Sequence, residues 1–471
     1  MVFSSLIFLY VFLPLNLVLY FLCRNLNYRN IILVFFSLAF YAWGEPVWIT
    51  LLIFSAAIDY VHGLIIEKNR GTWKAKAALI SSLVLNLSLL GFFKYSDFLT
   101  QNVNILFGTN IPPSNFNLPI GISFYTFQTI SYVIDVYRNE TRAQTSFLKF
   151  MLFVSLFHQL VAGPIVRYSD IAREIEDRTV TVSGMYSGIN RFVAGLGKKV
   201  LLANTAGEIA EPLLNGELGQ LSVVGAWLGI ILYAFQIYFD FSGYSDMAIG
   251  MGKMIGFHYK ENFNYPYVSK TVTEFWRRWH ISLGTFFRDY VYIPLGGNRR
   301  HHIRNLVIVW FLTGLWHGAS WNFVIWGLFY GFIIILEKTL LSKVLKKIPA
   351  FVSHIYLLLI VNVAWVFFYF TDINKAIGYI GVMFGMGANG FCSVQDSMTL
   401  LNNGVFLIIA AIGCTPVIPA LNNLLRTKTD NWKHRELVLD ICRPAINVVL
   451  ILLCTAFLVG RTYNPFLYFR F

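Results

Sequence analysis

Charge is what this chain has least of. Asp, Glu, Lys and Arg make up 13% of its 471 residues, about half the share usual in a soluble domain. That excludes the several globular domains its length alone would suggest. With 56% hydrophobic residues, the composition predicts an all-α, polytopic membrane protein: one continuous helical bundle over residues 1–471. Acids are scarcer than bases, 24 against 37. No nucleic-acid motif accompanies the excess, so it reads as basic loops held against anionic lipid. Cys23, Cys392, Cys414, Cys442 and Cys454 show no ligand spacing, which argues against a disulfide framework or a metal site and leaves them as buried apolar thiols. P-loop, HExxH, GxSxG and dinucleotide glycine patterns are absent, so ATP-driven transport and standard hydrolase chemistry lose support. The first apolar stretch has no basic residues before it and no small-residue cleavage site after it, and reads as a retained span.

Apolar runs begin near Leu6, Ile31, Val47, Ala78, Leu118, Leu148, Val180, Val223, Leu306, Val352, Ala376, Leu400 and Ala445. At roughly 20 residues per crossing they predict about 11 spans, plus one or two segments that enter without crossing. Arg24 and Arg29 follow the first run, and Lys68, Arg70, Lys74 and Lys76 the third, while the turn at residues 44–46 has no base. Positive loops inside then put the N-terminus outside.

Two segments carry the polar chemistry. Residues 267–298 read YVSKTVTEFWRRWHISLGTFFRDYVYIPLGGN. They are too charged to face lipid, so a re-entrant or interfacial helix is expected. Trp276, Trp279 and His280 would share one of its faces, with Arg277 and Arg278 beside them, and the basic stretch 298–304 would be cytoplasmic. From Leu306 to Tyr330 there is no acid or base, and only His317 titrates near neutrality. Gly314 and Gly318 flank it and would admit a neighbouring backbone or a thin ligand. Trp316, Trp321 and Trp326 supply walls, and Ser320 and Asn322 supply polar partners. A structural histidine bridging helices is the plain alternative; proton transfer is the sharper one.

Other polar groups interrupt apolar runs. His158 precedes a Gly-Pro break, where it would serve structure or a tunnel. Asp240 and Asp246 lie in YFDFSGYSDMAIG, and Gln128 and Asp135 in SFYTFQTISYVIDVY. Intramembrane carboxylates need partners, for which Arg167, Arg277 and Arg278 are candidates. His62, His258, His354 and His434 fall near expected helix ends or loops, and His301 and His302 in a solvated basic loop.

Taken in order, five stretches resemble the membrane-bound O-acyltransferase family: LPIGISFYTFQTISYVIDVYR (118–138), FVSLFHQLVAGPIVRY (153–168), YFDFSGYSDMAIGMGKMIGF (238–257), FWRRWHISLGTFFRDYVYIPLGGNR (275–299) and LTGLWHGASWNFVIWG (312–327). The nearest likeness is to the bacterial branch that holds the membrane components of alginate O-acetylation and teichoic-acid D-alanylation. The terminal stretches MVFSSLIFLYVFLPL and NPFLYFRF look like the alginate type. The motif-bearing core covers about 118–330, and the likeness is weakest from 343 to 440.

The resemblance implies a ring of transmembrane helices around a thinned centre, with a tunnel joining the two faces. It matches His317 to the family's signature histidine and His280 to its second polar position. It implies an O-acyltransferase in the bacterial cytoplasmic membrane, with no tightly bound cofactor. Acetyl would pass from a cytoplasmic thioester, acetyl-CoA or acyl-carrier protein, to an extracytoplasmic polysaccharide hydroxyl, with an SGNH-hydrolase-like partner. His317 would act as general base, and His280 would orient the donor or bind the developing oxyanion. Trp316, Asn322, Trp276, Arg277, Arg278, Trp279, His158, Asp246 and Gln128 would line substrate or tunnel. Teichoic-acid or peptidoglycan acylation, a proton-coupled transporter and a non-catalytic scaffold are the alternatives.

Overall fold

The structure, a computed structural model, describes all residues except 115, 162, 429–434, 462, 466 and 468–471, and the backbone alone at 425, 426, 428 and 435–440. His434 and the end of the NPFLYFRF stretch lie outside the described residues. Every regular element described is helical. Seven helices among the described residues are long and apolar enough to cross a membrane. The chain divides into two compact units, Met1–Phe192 with Tyr244–Glu261, and Val193–Gly243 with Asn262–Phe471.

The first unit holds α1 (Leu13–Phe21), α2 (Leu26–Gly44), α3 (Ile49–Lys68), α4 (Trp73–Phe107), α5 (Ile122–Tyr137), α6 (Phe147–Ser155), α7 (Phe157–Leu160), α8 (Tyr168–Glu176) and most of α9 (Val182–Gly197). Asn25 caps α2 by accepting from the Tyr28 N–H. Asp59 of α3 is fully buried and accepts from Ser82 at 2.6 Å and from Asn86 at 2.9 Å, so α4 satisfies an intramembrane carboxylate that has no ion pair among the described residues. The sequence pattern did not single it out. α5 is buried on almost every side, though its charge-poor pattern looks no different from a lipid-facing run. The run from Leu148 forms only the nine residues of α6, about 14 Å against a hydrocarbon layer of about 30 Å. It does not cross.

The second unit holds α10 (Asn204–Asn215), α11 (Val223–Met254) as far as Gly243, α12 (Val272–Arg278), α13 (Ile281–Phe287), α14 (His302–His317), α15 (Trp321–Leu336), α16 (Ser342–Leu345), α17 (Ala350–Tyr369), α18 (Ile373–Met383), α19 (Val394–Gly413), α20 (Val417–Lys428) and α21 (Arg435–Gly460). The run from Ala376 also falls short: α18 has 11 residues. Ser393 and Asp396 form a reciprocal capping box at the start of α19. Cys414 and Cys454 are buried as expected, but Cys392 and Cys442 are exposed and Cys23 is half-buried. Cys392 stands in a loop beside Ser393, not in an apolar run that would cover it.

The run from Leu306 to Tyr330 is not one span. It breaks at residues 318–320, and α15 folds back along α14. A Cβ on Gly314 would lie 2.4 Å from the Phe323 carbonyl oxygen, and one on Gly327 would lie 2.4 Å from that of Trp310. Glycine is therefore required for two backbones to touch. The space flanking His317 belongs to a neighbouring helix and not to a ligand.

Candidate active site

His317 is the last residue of α14, at the tip of the α14–α15 hairpin, and is 7% exposed. Aromatic rings stand edge-on around its imidazole: Trp326 at 4.8 Å, Trp316 at 5.0 Å and Phe368 at 5.3 Å between ring centres. Asn322, fully buried in the first turn of α15, donates to the Phe367 carbonyl at 3.1 Å and so ties the hairpin tip to α17.

His280 does not continue α12. That helix ends at Arg278, Trp279 is extended, and His280 takes a left-handed conformation with φ +45° before α13 begins. The single face expected for Trp276, Trp279 and His280 is therefore broken. The cause is local pairing: Asn262 receives the Ile281 N–H on its carbonyl at 2.9 Å and the Ser282 N–H on its side-chain oxygen at 3.2 Å, which turns the chain there. A non-glycine residue at positive φ costs energy that surrounding contacts must offset, and such residues cluster at functional sites. The His280 ring is buried, 3.1 Å from the Asn262 side-chain oxygen through Nδ1, and edge-on to Phe241 at 4.7 Å.

Trp316 connects the two histidines, its ring 5.7 Å from that of His280 and 5.0 Å from that of His317. Trp276 reaches His317 only through Trp326. Its ring lies 4.9 Å from Trp310, 4.9 Å from Tyr330 and 5.5 Å from Trp326, which stacks edge-on to His317. Among the described residues, Nε1 of Trp276 and Trp326, the Tyr330 hydroxyl, Nε2 of His280 and Oδ1 of Asn322 are buried without a hydrogen-bond partner. Buried polar atoms of native proteins are rarely left so.

A cavity of about 580 Å³ opens against Trp276, Trp310 and His280 of this group; its lining does not include His317, Trp316, Trp326, Tyr330 or Asn322. His280, Trp276, Trp310 and Thr313 line it, as do Arg277, Arg288, Lys338, Tyr292 and Asn298. The three cations are exposed. Arg288 is paired with Asp289 at 2.6 Å, and Arg278 with Glu274 at 3.0 Å and with the Asn264 carbonyl at 3.2 Å. Trp279 is core, stacked on Phe275 and 5.1 Å from Trp365. His302 is not a solvated loop residue: it starts α14, half-buried, 2.7 Å from the Tyr292 hydroxyl.

The remaining candidates lie in the first unit. His158, in the short α7, is buried, with Nδ1 3.4 Å from the Tyr259 hydroxyl. Gln128 is fully buried, and neither atom of its amide has a partner among the described residues. Asp246 pairs with Arg191 at 2.8 Å. Asp240, in the second unit, pairs with Lys199 at 2.7 Å. Arg191 and Lys199 were not among the partners expected from sequence, because pairing follows helix packing and not proximity along the chain. His62 lies well inside α3, bonded to the Ile58 carbonyl and Ser81, and His354 bonds the Ser269 carbonyl from the first turns of α17.

Asn262, Phe241, Glu337 and Lys338 were not foreseen. Glu337, 4% exposed, accepts the N–H groups of Val272 and Thr273 at 2.6 and 2.8 Å and so caps the helix that carries Trp276. A lone acid ending a long apolar run was its signal. Asn262 had none beyond its residue type's tolerance of turns.

The model of the membrane-bound O-acyltransferase family matches residues 83–382, a stretch that contains both histidines and the cavity.

The chain belongs to the membrane-bound O-acyltransferase family.

It is 37% identical to the probable alginate O-acetylase AlgI of Azotobacter vinelandii over the whole of both chains. It is 42% identical to the Pseudomonas aeruginosa protein of the same name over 82% of this chain and 75% of that one. A peptidoglycan O-acetyltransferase of Helicobacter pylori is 31% identical over 100% of this chain and 98% of its own. This acyltransferase is therefore a multi-pass membrane O-acetyltransferase of the AlgI-like branch.

Proposed function

We propose that the enzyme moves acetyl from a cytoplasmic thioester to hydroxyls of an extracytoplasmic, alginate-like polysaccharide, from the bacterial cytoplasmic membrane. The observation that carries this is the cavity reaching His280 past Arg277, Arg288 and Lys338. A thioester of the acetyl-CoA or acyl-carrier type has a phosphate-bearing arm, which exposed cations suit. Asn298 on the cavity wall begins the basic stretch 298–304, the kind of stretch that stays in the cytoplasm.

In this reading His317 is the general base. It takes the proton of the acceptor hydroxyl, whose oxygen attacks the thioester carbonyl; the carbon–sulfur bond breaks, and the thiol leaves with a proton. Trp316 and Trp276 keep water from the imidazoles while the donor lies along the cavity. Trp326, Tyr330 and Asn322 offer polar atoms that a bound acyl group can meet. An SGNH-hydrolase-like partner outside would receive acetyl or deliver it to polymer. The full-length 37% relative favours an exopolysaccharide over peptidoglycan, whose named relative stands at 31%.

The test supplies a labelled, membrane-impermeant acetyl thioester to inside-out and right-side-out vesicles holding the enzyme, the partner and polymer. Label on polymer or partner only in inside-out vesicles is expected. Equal transfer from either side, or export of polymer with no transfer, overturns the proposal.

A further inference from the structure

The hydrogen bonds around Asn262 fix where the proton sits on His280. The Asn262 side-chain atom facing this cluster is 3.2 Å from the backbone nitrogen of Ser282, 2.9 Å from the Ser282 hydroxyl and 3.1 Å from Nδ1 of His280. A backbone N–H can only donate, so that atom is the amide oxygen and not the amide nitrogen. The oxygen has no proton to give. The Ser282 hydroxyl also lies 3.5 Å from Nδ1, but its proton goes to the nearer Asn262 oxygen at 2.9 Å, so His280 Nδ1 is the donor in the 3.1 Å contact and in a neutral ring the lone pair is left on Nε2. Asn262 is fully buried, and its own carbonyl holds the Ile281 N–H at 2.9 Å, so the amide cannot easily turn away.

We propose that Asn262 is a positioning residue that locks His280 in the Nδ1–H tautomer, so that His280 meets the acyl donor as a hydrogen-bond acceptor. This rests on the cavity being the donor site. It also decides between the two roles the sequence left to this histidine. Stabilising an oxyanion needs a donor, which Nε2 is not; holding the arm of a thioester needs an acceptor for an amide N–H, which Nε2 is. Nε2 has no partner among the described residues, and His280 lines the cavity.

Nitrogen-15 spectra of imidazole-labelled enzyme, with His280 assigned by a His280→Gln variant, read the tautomer directly and without turnover. The proton is expected on Nδ1 in the wild type. Asn262→Leu should release the ring to a mixture and raise the donor KM about tenfold with a smaller change in kcat. Asn262→Asp keeps an oxygen in place and should keep the proton on Nδ1, which covers the case in which the leucine variant fails to fold. A wild-type proton on Nε2, or a tautomer and KM indifferent to Asn262→Leu, overturns the proposal. Because the spectrum does not need catalysis, it stands or falls separately from the role of His317: an Nδ1–H ring in an enzyme that does not need His317 would sink the catalytic reading alone.

Discussion

Lys199 and Asp240 stand 2.7 Å apart with side chains only 3% and 4% exposed. Lys199 sits in a π-helical stretch, residues 198–203, between α9 and α10, and Asp240 lies in α11 next to Phe241, the ring that backs His280. The Asp240 carboxylate also accepts the Leu467 N–H at 2.9 Å. Breaking such a pair strands a buried charge. Lys199→Met should destabilise the protein by about 3–5 kcal/mol, whereas Lys199→Met with Asp240→Leu should lose less, the remainder being the cost of the Leu467 N–H, the Asn204 side-chain oxygen and the Pro465 carbonyl that lose their partners. Thermal unfolding in detergent checks both. Equal losses in the single and double variants would remove the pair from the account.

The α14–α15 hairpin depends on glycine where its backbones touch. Gly314→Ala would press a methyl to 2.4 Å from the Phe323 oxygen and should cost about 1–3 kcal/mol. Gly197 is the control, since a Cβ added there would meet nothing within 4 Å and its backbone is ordinary helix at φ −59°. Gly197→Ala should be neutral or stabilising by about 0.5–1 kcal/mol. Comparing their melting midpoints separates backbone contact from a general intolerance of alanine.

The exposed cations on the cavity wall should act on donor binding and not on chemistry. Arg277→Gln and Lys338→Gln should each raise the donor KM by up to roughly fivefold, less at high salt, with kcat nearly unchanged. Steady-state kinetics at two ionic strengths measures this. Arg278→Gln should leave the salt dependence alone, because Glu274 and the Asn264 carbonyl already hold that side chain.

Much of this is legible in the sequence. Low charge and long apolar runs announce a helical membrane protein, because an unpaired charge in hydrocarbon is costly wherever it falls. The same rule singles out His317. What pattern alone misses follows from its blindness to distance. It shows 25 residues without an acid or base and draws one span through them, although Gly314 and Gly327 let the chain double back at that point. It draws one helix through Trp276, Trp279 and His280, although an asparagine some 18 residues earlier supplies the bonds that end it. It gives Asp240 and Asp246 arginines from other motifs, although the cations that reach them come from α9 and the π-helical stretch that follows it.

The central claim is that His317 takes the proton of the acceptor hydroxyl. Acetyl transfer per folded molecule, measured with labelled donor in membranes holding equal amounts of wild type, His317→Ala and His317→Gln, tests it most directly. Both variants should insert and fold, and both should lose activity by about 10²–10⁴-fold, since glutamine fills much of the space but cannot accept the proton. Transfer within about threefold of wild type in either variant would contradict the account.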